Sequence, residues 1–152
     1  MKVSSIRSLT RSKAPSATIV IRFLTGTVFV SEGIQKFLFA ASLGSGRFLK
    51  LGIVAPSFTA PSVGCVEILF GCFLLFGLLT RLSTLPLLAV ISVALWTTKL
   101  PMLEEGQFWG MAHEARTDYS MLLCLIFLLV VGAGPLSLDA VLTRSEDRPG
   151  RA

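Results

Sequence analysis

Four apolar stretches, residues 17–41, 62–79, 82–100 and 119–138, divide the chain, and each has the length and composition of a membrane-crossing helix. About 20 apolar residues span the hydrocarbon core as a helix. The segments between them are polar or rich in Gly and Pro. Residues 42–60 read SLGSGRFLKLGIVAPSFTA, residues 79–84 read LTRLST, and residues 101–118 carry Glu104, Glu105, Glu114 and Asp118. The turn at 79–84 is short enough to make the second and third spans antiparallel neighbours. Ser62, just after Pro61, is the expected N-cap of the second span. Pro86 falls in the first turn of the third, where its missing N–H does no harm. Gly132, Gly134 and Pro135 close the fourth. The pattern predicts an all-α fold, an integral membrane four-helix bundle. Residues 1–16 form a basic tail, 17–142 the membrane domain and 143–152 a second tail.

Composition supports that pattern. Of 152 residues, 53% are hydrophobic and only 15% charged, against about 25% charged in a soluble domain. Mean hydropathy is +0.75, and the four spans leave no room for a second globular domain. The net charge of +5 is not gathered into a basic patch with interleaved aromatics, so nucleic acid is not an expected partner; membrane lipid is. Lys2, Arg7, Arg11, Lys13, Arg81, Arg144, Arg148 and Arg151 flank one side of the spans; Arg47, Lys50 and Arg116, with Lys99 at its edge, flank the other. The positive-inside rule then places both termini in the cytoplasm. A cleaved signal peptide is the rival reading of the N-terminus, but Arg22, Glu32 and Lys36 interrupt an apolar run that is too long for one.

Ionisable residues inside spans are expensive, and they mark pairs, cavities or chemistry. The first span holds Arg22, Glu32 and Lys36, and the second holds Glu67. On a helix turning 100° per residue these three charges of the first span share a sector of roughly 80°, with Gly26, Phe29 and Gly33 in or beside it. Glu32 and Lys36 are an i,i+4 pair in the favourable order. Counted from the outer ends of the spans, Glu32, Lys36 and Glu67 lie within about one helical turn of one another in depth. One cation between two carboxylates is the expected network, and two anions sharing one cation make a carboxylate able to carry a proton. Arg22 lies near the opposite end and is expected to snorkel to the interface. The same charges read equally well as a purely structural lock between helices.

The order of short motifs then matters. Arg22-x3-Gly26 and Gly33-x2-Lys36-Phe37 occur in the first span. Glu67-x3-Gly71 and Gly77-Leu78-Leu79-Thr80-Arg81 follow in the second. Gly132-Ala133-Gly134-Pro135-Leu136-Ser137-Leu138-Asp139 closes the domain. In this order and spacing, over residues 18–142, the chain resembles the DoxX family of small four-helix membrane proteins of bacteria and archaea. The resemblance implies the cytoplasmic membrane and similarity to the small membrane subunit of a thiosulfate:quinone oxidoreductase. It also implies links to membrane oxidoreductase assemblies and oxidative-stress defence. It carries over Arg22, Lys36, Glu67 and Arg81; Glu32 comes from helical geometry alone. The chain departs from the family pattern where Gly-Ala-Gly-Pro replaces Gly-Pro-Gly. Asp118 stands where a Glu is usual, and Trp96, Thr97 and Lys99 occupy the region of a frequent His.

Several chemistries are excluded. His113 is the single histidine, so haem held by two imidazoles of this chain is not possible, and neither is a Ser/His/Asp triad with that residue in a loop. No metal motif is present around it, and no metal site is expected. Gly44-x-Gly46 is not followed by a Rossmann pattern. Cys65 and Cys72 are too far apart on one helix for a disulfide; Cys124 could approach Cys65, but small packing residues are the simpler reading of all three. The favoured function is a membrane subunit of a quinone-linked oxidoreductase, not catalytic alone, in contact with other oxidoreductase subunits or with copies of itself. Lys36, Glu67 and Glu32 are its candidate catalytic group. Phe29, Phe37, Phe70 and Trp96 are expected to wall a quinone slot, with Arg22 and Arg81 holding an anionic group or the cytoplasmic end. The alternatives are a non-catalytic anchor or assembly subunit and, third, a small-solute carrier or channel.

Overall fold

The computed structural model describes residues 14–146, and every regular element among them is helical. Among the described residues there are four long helices, α1 (Thr18–Leu38), α3 (Pro56–Phe76), α4 (Thr80–Glu104) and α5 (Phe108–Val131), and two short ones, α2 (Ser45–Lys50) and α6 (Leu138–Glu146). The long helices pack in the order α1, α3, α4, α5, and α5 returns to touch α1; α2 rests on α3. The α1–α3 and α4–α5 pairs are the intimate ones. Two helices, α3 and α4, are long and apolar enough to cross a membrane by length and composition; α1 has a comparable length but carries Arg22, Glu32 and Lys36.

Small residues explain why α1 and α3 lie so close. A Cβ on Gly26 would sit 2.8 Å from the carbonyl oxygen of Gly71, and one on Gly33 2.7 Å from that of Gly64. The two glycine pairs therefore face each other, backbone against backbone, which is the geometry small residues permit between helices. Cys65 points away from this seam and is exposed, and all three cysteines are free thiols. Phe29, Leu74, Leu87, Ile91, Met121, Leu125 and Leu128 form the common core. Large apolar side chains such as Val20, Phe23, Phe58, Leu69, Val93, Leu123 and Val130 cover the outside.

Several boundaries differ from the sequence expectation. The helix at the second span starts at Pro56 rather than at Ser62. Pro56 takes the helix-opening position that Pro61 was expected to precede, after Ala55 in the left-handed region (φ 50°). Ser62 is not a cap: its hydroxyl donates to the Phe58 carbonyl 2.8 Å away, inside the helix. The segment 101–118 is not a loop. α4 continues to Glu104, and α5 begins at Phe108 after a turn through Gly106 (φ 76°). The Met, Leu, Glu, Ala and Arg residues of this segment are good helix formers, and its charges lie on helix flanks rather than in a connection.

Gly77 terminates α3. Its amide donates to Leu74 O (3.1 Å) and that of Leu78 to Phe73 O (2.8 Å), with Gly77 at φ 67°, the Schellman arrangement that favours glycine. Leu79 follows, also left-handed at φ 46°. Such a conformation in a leucine costs on the order of 1–3 kcal/mol, so something must hold it.

Candidate functional site

Asp139 is what holds it. Its carboxylate accepts from the amides of Leu79 (2.7 Å) and Thr80 (3.0 Å), and its own amide donates to Gly77 O (3.0 Å). It thus caps α4 from 59 residues away, placing an anion at a helix N-terminus. Ser137, just before it, accepts from the Ala140 amide at the start of α6 (3.1 Å). Arg22 enters the same knot from α1. It is 2% exposed and donates to the carbonyls of Leu74 (3.0 Å), Leu75 (3.1 Å), Ala133 (2.8 Å) and Leu136 (2.8 Å). The expected snorkelling is corrected: the guanidinium fork is consumed inside the protein by the carbonyls of Leu74 and Leu75 in the last turn of α3 and of Ala133 and Leu136 in the segment between α5 and α6. Arg81 binds a carbonyl too, that of Val130 near the end of α5 (3.0 Å). Neither arginine is on the cavity described next. The motif residues Arg22, Gly77, Arg81, Ser137 and Asp139 thus form the closed end of the molecule.

The other end opens. A cavity of about 600 Å³ lies between α1, α3, α4 and α5, with residues 43–53 around its mouth. Val28, Phe29, Ile91, Ala94 and Met121 supply apolar wall. On one side Lys36 Nζ of α1 sits 2.7 Å from Glu67 Oε2 of α3, and the two side chains are only 12% and 4% exposed. A lysine and a carboxylate at that distance form a charge-assisted contact; removing either partner would leave the other as a buried, uncompensated charge. Glu32 is a lesser member. Its carboxylate is 3.9 Å from Lys36 and 55% exposed, so it forms a rim group rather than the second jaw of a symmetric pair.

On the opposite side stands a cluster that the sequence reading did not assemble. Lys99 Nζ of α4 lies 3.3 Å from Glu114 and 3.8 Å from Asp118 of α5, with only 11% of its side chain exposed. All three line the cavity. Glu114 and Asp118 are four apart, one helical face, a signal hidden by reading their segment as a loop. His113 stays outside this group, in contact with Arg116 (3.0 Å) on the exposed face of α5.

Among the aromatics expected to wall a slot, Phe29 does so and is also part of the core. The other three are corrected in position. Phe37 is half-exposed and its ring packs over Gly64. Phe70 is packed against the core, edge-on to Phe73 at 5.8 Å between centroids. Trp96 is 71% exposed on the outside of α4. The third span is apolar nearly all round, so its sequence did not mark which face turns inward.

A family model for DoxX matches residues 17–100. The chain therefore belongs to the DoxX family. It is 50% identical over 142 residues to "Uncharacterized membrane protein Rv3486" of Mycobacterium tuberculosis, a match covering 90% of this chain and 87% of that one. It is 32% identical over 122 residues to "Putative oxidoreductase CatD" of Bacillus subtilis, covering 80% and 84%. No solved structure matches the chain.

Proposed function

We propose that this protein is a multi-pass subunit of an oxidoreductase complex in the bacterial cytoplasmic membrane and that its cavity receives a quinone. All four long helices would cross the bilayer as a four-helix bundle, with both termini and the Arg22–Asp139 knot inside and the cavity mouth outside. The exposed apolar side chains on each long helix support the spans, and the asymmetry of Lys and Arg supports the orientation. The oxidoreductase role draws on the name of the Bacillus relative.

The observation that carries the quinone reading is the Lys36–Glu67 pair on a cavity of about 600 Å³ whose apolar wall, from Val28, Phe29, Ile91, Ala94 and Met121, lies between charged groups. Pockets for small organic ligands measure about 300–1,000 Å³, with apolar walls and a few convergent polar groups. A bound quinone supplies two-electron, two-proton redox chemistry. The Lys36 ammonium has three N–H donors and can orient an oxygen at the wall. Glu67 can accept or return a proton at its carboxylate, and the apolar wall excludes water around both. No redox group resident in this chain is part of the reading, so electrons come from a partner subunit.

The test is purification from membranes in mild detergent, solvent extraction and quantitation of quinone, with identification of co-purifying chains. The wild type should carry quinone together with a dehydrogenase-type subunit, and Lys36→Met/Glu67→Gln should keep the fold and the partner but lose the quinone. A wild type without quinone removes the redox reading; equal quinone in the double variant makes the pair a structural lock. Orientation is checked by single cysteines: Glu105→Cys should label from outside and Thr143→Cys only from inside.

A further inference from the structure

We propose that the cavity grips its occupant from two sides, between Lys36 on α1 and Lys99 on α4, and that it therefore takes a flat molecule with oxygens on opposite edges. This rests on the quinone reading above and makes it specific. Both lysines line one cavity, and they stand on diagonally placed helices, since α1 and α4 each pack chiefly on α3 and α5. Apolar side chains, Phe29, Ile91, Ala94 and Met121, lie on the same cavity surface. Each ammonium is nearly buried yet tethered by acidic groups: Lys36 by Glu67, Lys99 by Glu114 and Asp118. Among the described residues, Lys99 makes one hydrogen bond, to Glu114, and an ammonium carries three N–H donors.

Lys99 has little structural work to do. Glu114 is well exposed and Asp118 partly so, and solvent screens the attraction of such carboxylates for the ammonium. What the cluster adds is a second polar wall with the same composition as the first: an ammonium that donates and carboxylates that accept. That duplication fits a ligand which exists in two forms. A para-quinone presents an acceptor oxygen at each edge, matched by the two lysines. Its hydroquinone presents a donor hydroxyl at each edge, matched by Glu67 on one side and by Asp118 or Glu114 on the other. A ligand with one polar end would use only one of these walls.

The experiment measures binding of duroquinone, and of durenol, which keeps the ring and methyl groups but only one of the oxygens, to the whole protein in lipid nanodiscs. Lys36→Met and Lys99→Met should each weaken duroquinone binding about tenfold, the usual weight of a hydrogen bond from a charged donor. Durenol should bind the wild type more weakly and be insensitive to at least one of the two substitutions. Unchanged duroquinone affinity in Lys99→Met, with loss in Lys36→Met, overturns the two-sided grip and leaves the quinone reading standing; a wild type that binds no duroquinone overturns both. Should Lys99→Met fail to fold, the wild type still decides. Saturating duroquinone should slow acetylation of Lys99 by acetic anhydride about tenfold, read by mass spectrometry, and an unaltered rate sinks the proposal.

Discussion

The two ends of the molecule use charge in opposite ways. At the Gly77 end, Arg22, Arg81 and Asp139 are aimed at backbone carbonyls and amides. At the cavity end, Lys36, Glu67, Lys99, Glu114 and Asp118 are aimed at one another across or beside open space. Backbone groups at helix ends must be satisfied wherever they are buried, so the first set is bound to the fold. Side-chain pairs beside a cavity are not needed by the backbone. They leave donors and acceptors for something else, and replacing such a pair with uncharged groups of similar shape is often tolerated. Charges within these helices are thus not one class: those that end on backbone build the protein, and those that end on each other leave donors and acceptors beside open space.

That distinction breaks first at Arg22. Arg22→Met removes a donor from four carbonyl oxygens; that of Leu74 keeps the Gly77 amide, and each buried acceptor left unpaired costs about 1–3 kcal/mol. The expected outcome is loss of monodisperse protein on size-exclusion chromatography in detergent. Arg22→Lys should not rescue the fold, because an ammonium cannot replace a fork that reaches four acceptors; full thermal stability in that variant would show that the fork is unnecessary. Lys36→Met comes next. It leaves Glu67 buried without its cation, a loss of roughly 3–5 kcal/mol by analogy with soluble proteins. Unlike the closed end, this site should be repairable: Glu67→Gln added to Lys36→Met should restore most of the melting temperature. If the double variant melts no higher than the single one, the open end is as tied to the fold as the closed end, and the contrast fails.

The helical character of the chain and much of its first two spans were legible from period and spacing alone, because apolar runs bounded by glycine, proline and charge are local signals. The Lys36–Glu67 contact was legible for the same reason: counting turns from the outer ends of the apolar stretches put them at similar depth, and 2.7 Å separates them. What stayed hidden was non-local. Nothing near Arg22 announces the carbonyl of Ala133, 111 residues on. Nothing near Asp139 announces that it caps a helix beginning at Thr80. The sequence marked both as motif residues without revealing that they meet. Lys99 is visible as a charge at the edge of an apolar stretch, but its partners Glu114 and Asp118 fall in a polar segment whose sequence looks like a connection. Helix-forming charged residues at a helix end and charged residues in a loop look alike until the chain is folded.

Asp139 offers a finer cut. Asp139→Ala removes both capping bonds and releases the left-handed Leu79. Cap losses run about 0.5–2 kcal/mol, and a buried cap should lie at the upper end. Asp139→Asn, which keeps one acceptor, should fall between that variant and the wild type in thermal unfolding. Equal stability of Asp139→Ala and the wild type would mean that α4 starts without help and that the knot is held by Arg22 alone.

The smallest effect belongs to Glu32, and it tests where the open end stops. Its carboxylate is 3.9 Å from Lys36 and more than half exposed, and an exposed pair at such a distance contributes about 0.2–1 kcal/mol at most. Glu67, by contrast, is buried and closer to the same ammonium, 2.7 Å against 3.9 Å. Glu32→Gln should therefore shift stability by less than about 0.5 kcal/mol, while Glu67→Gln, alone, should destabilise clearly because Lys36 then loses its close partner. Measuring both by thermal unfolding in the same detergent makes the comparison internal. Similar losses in the two variants would restore the symmetric arrangement of one cation between two carboxylates, and Glu32 would then belong to the site rather than to its rim.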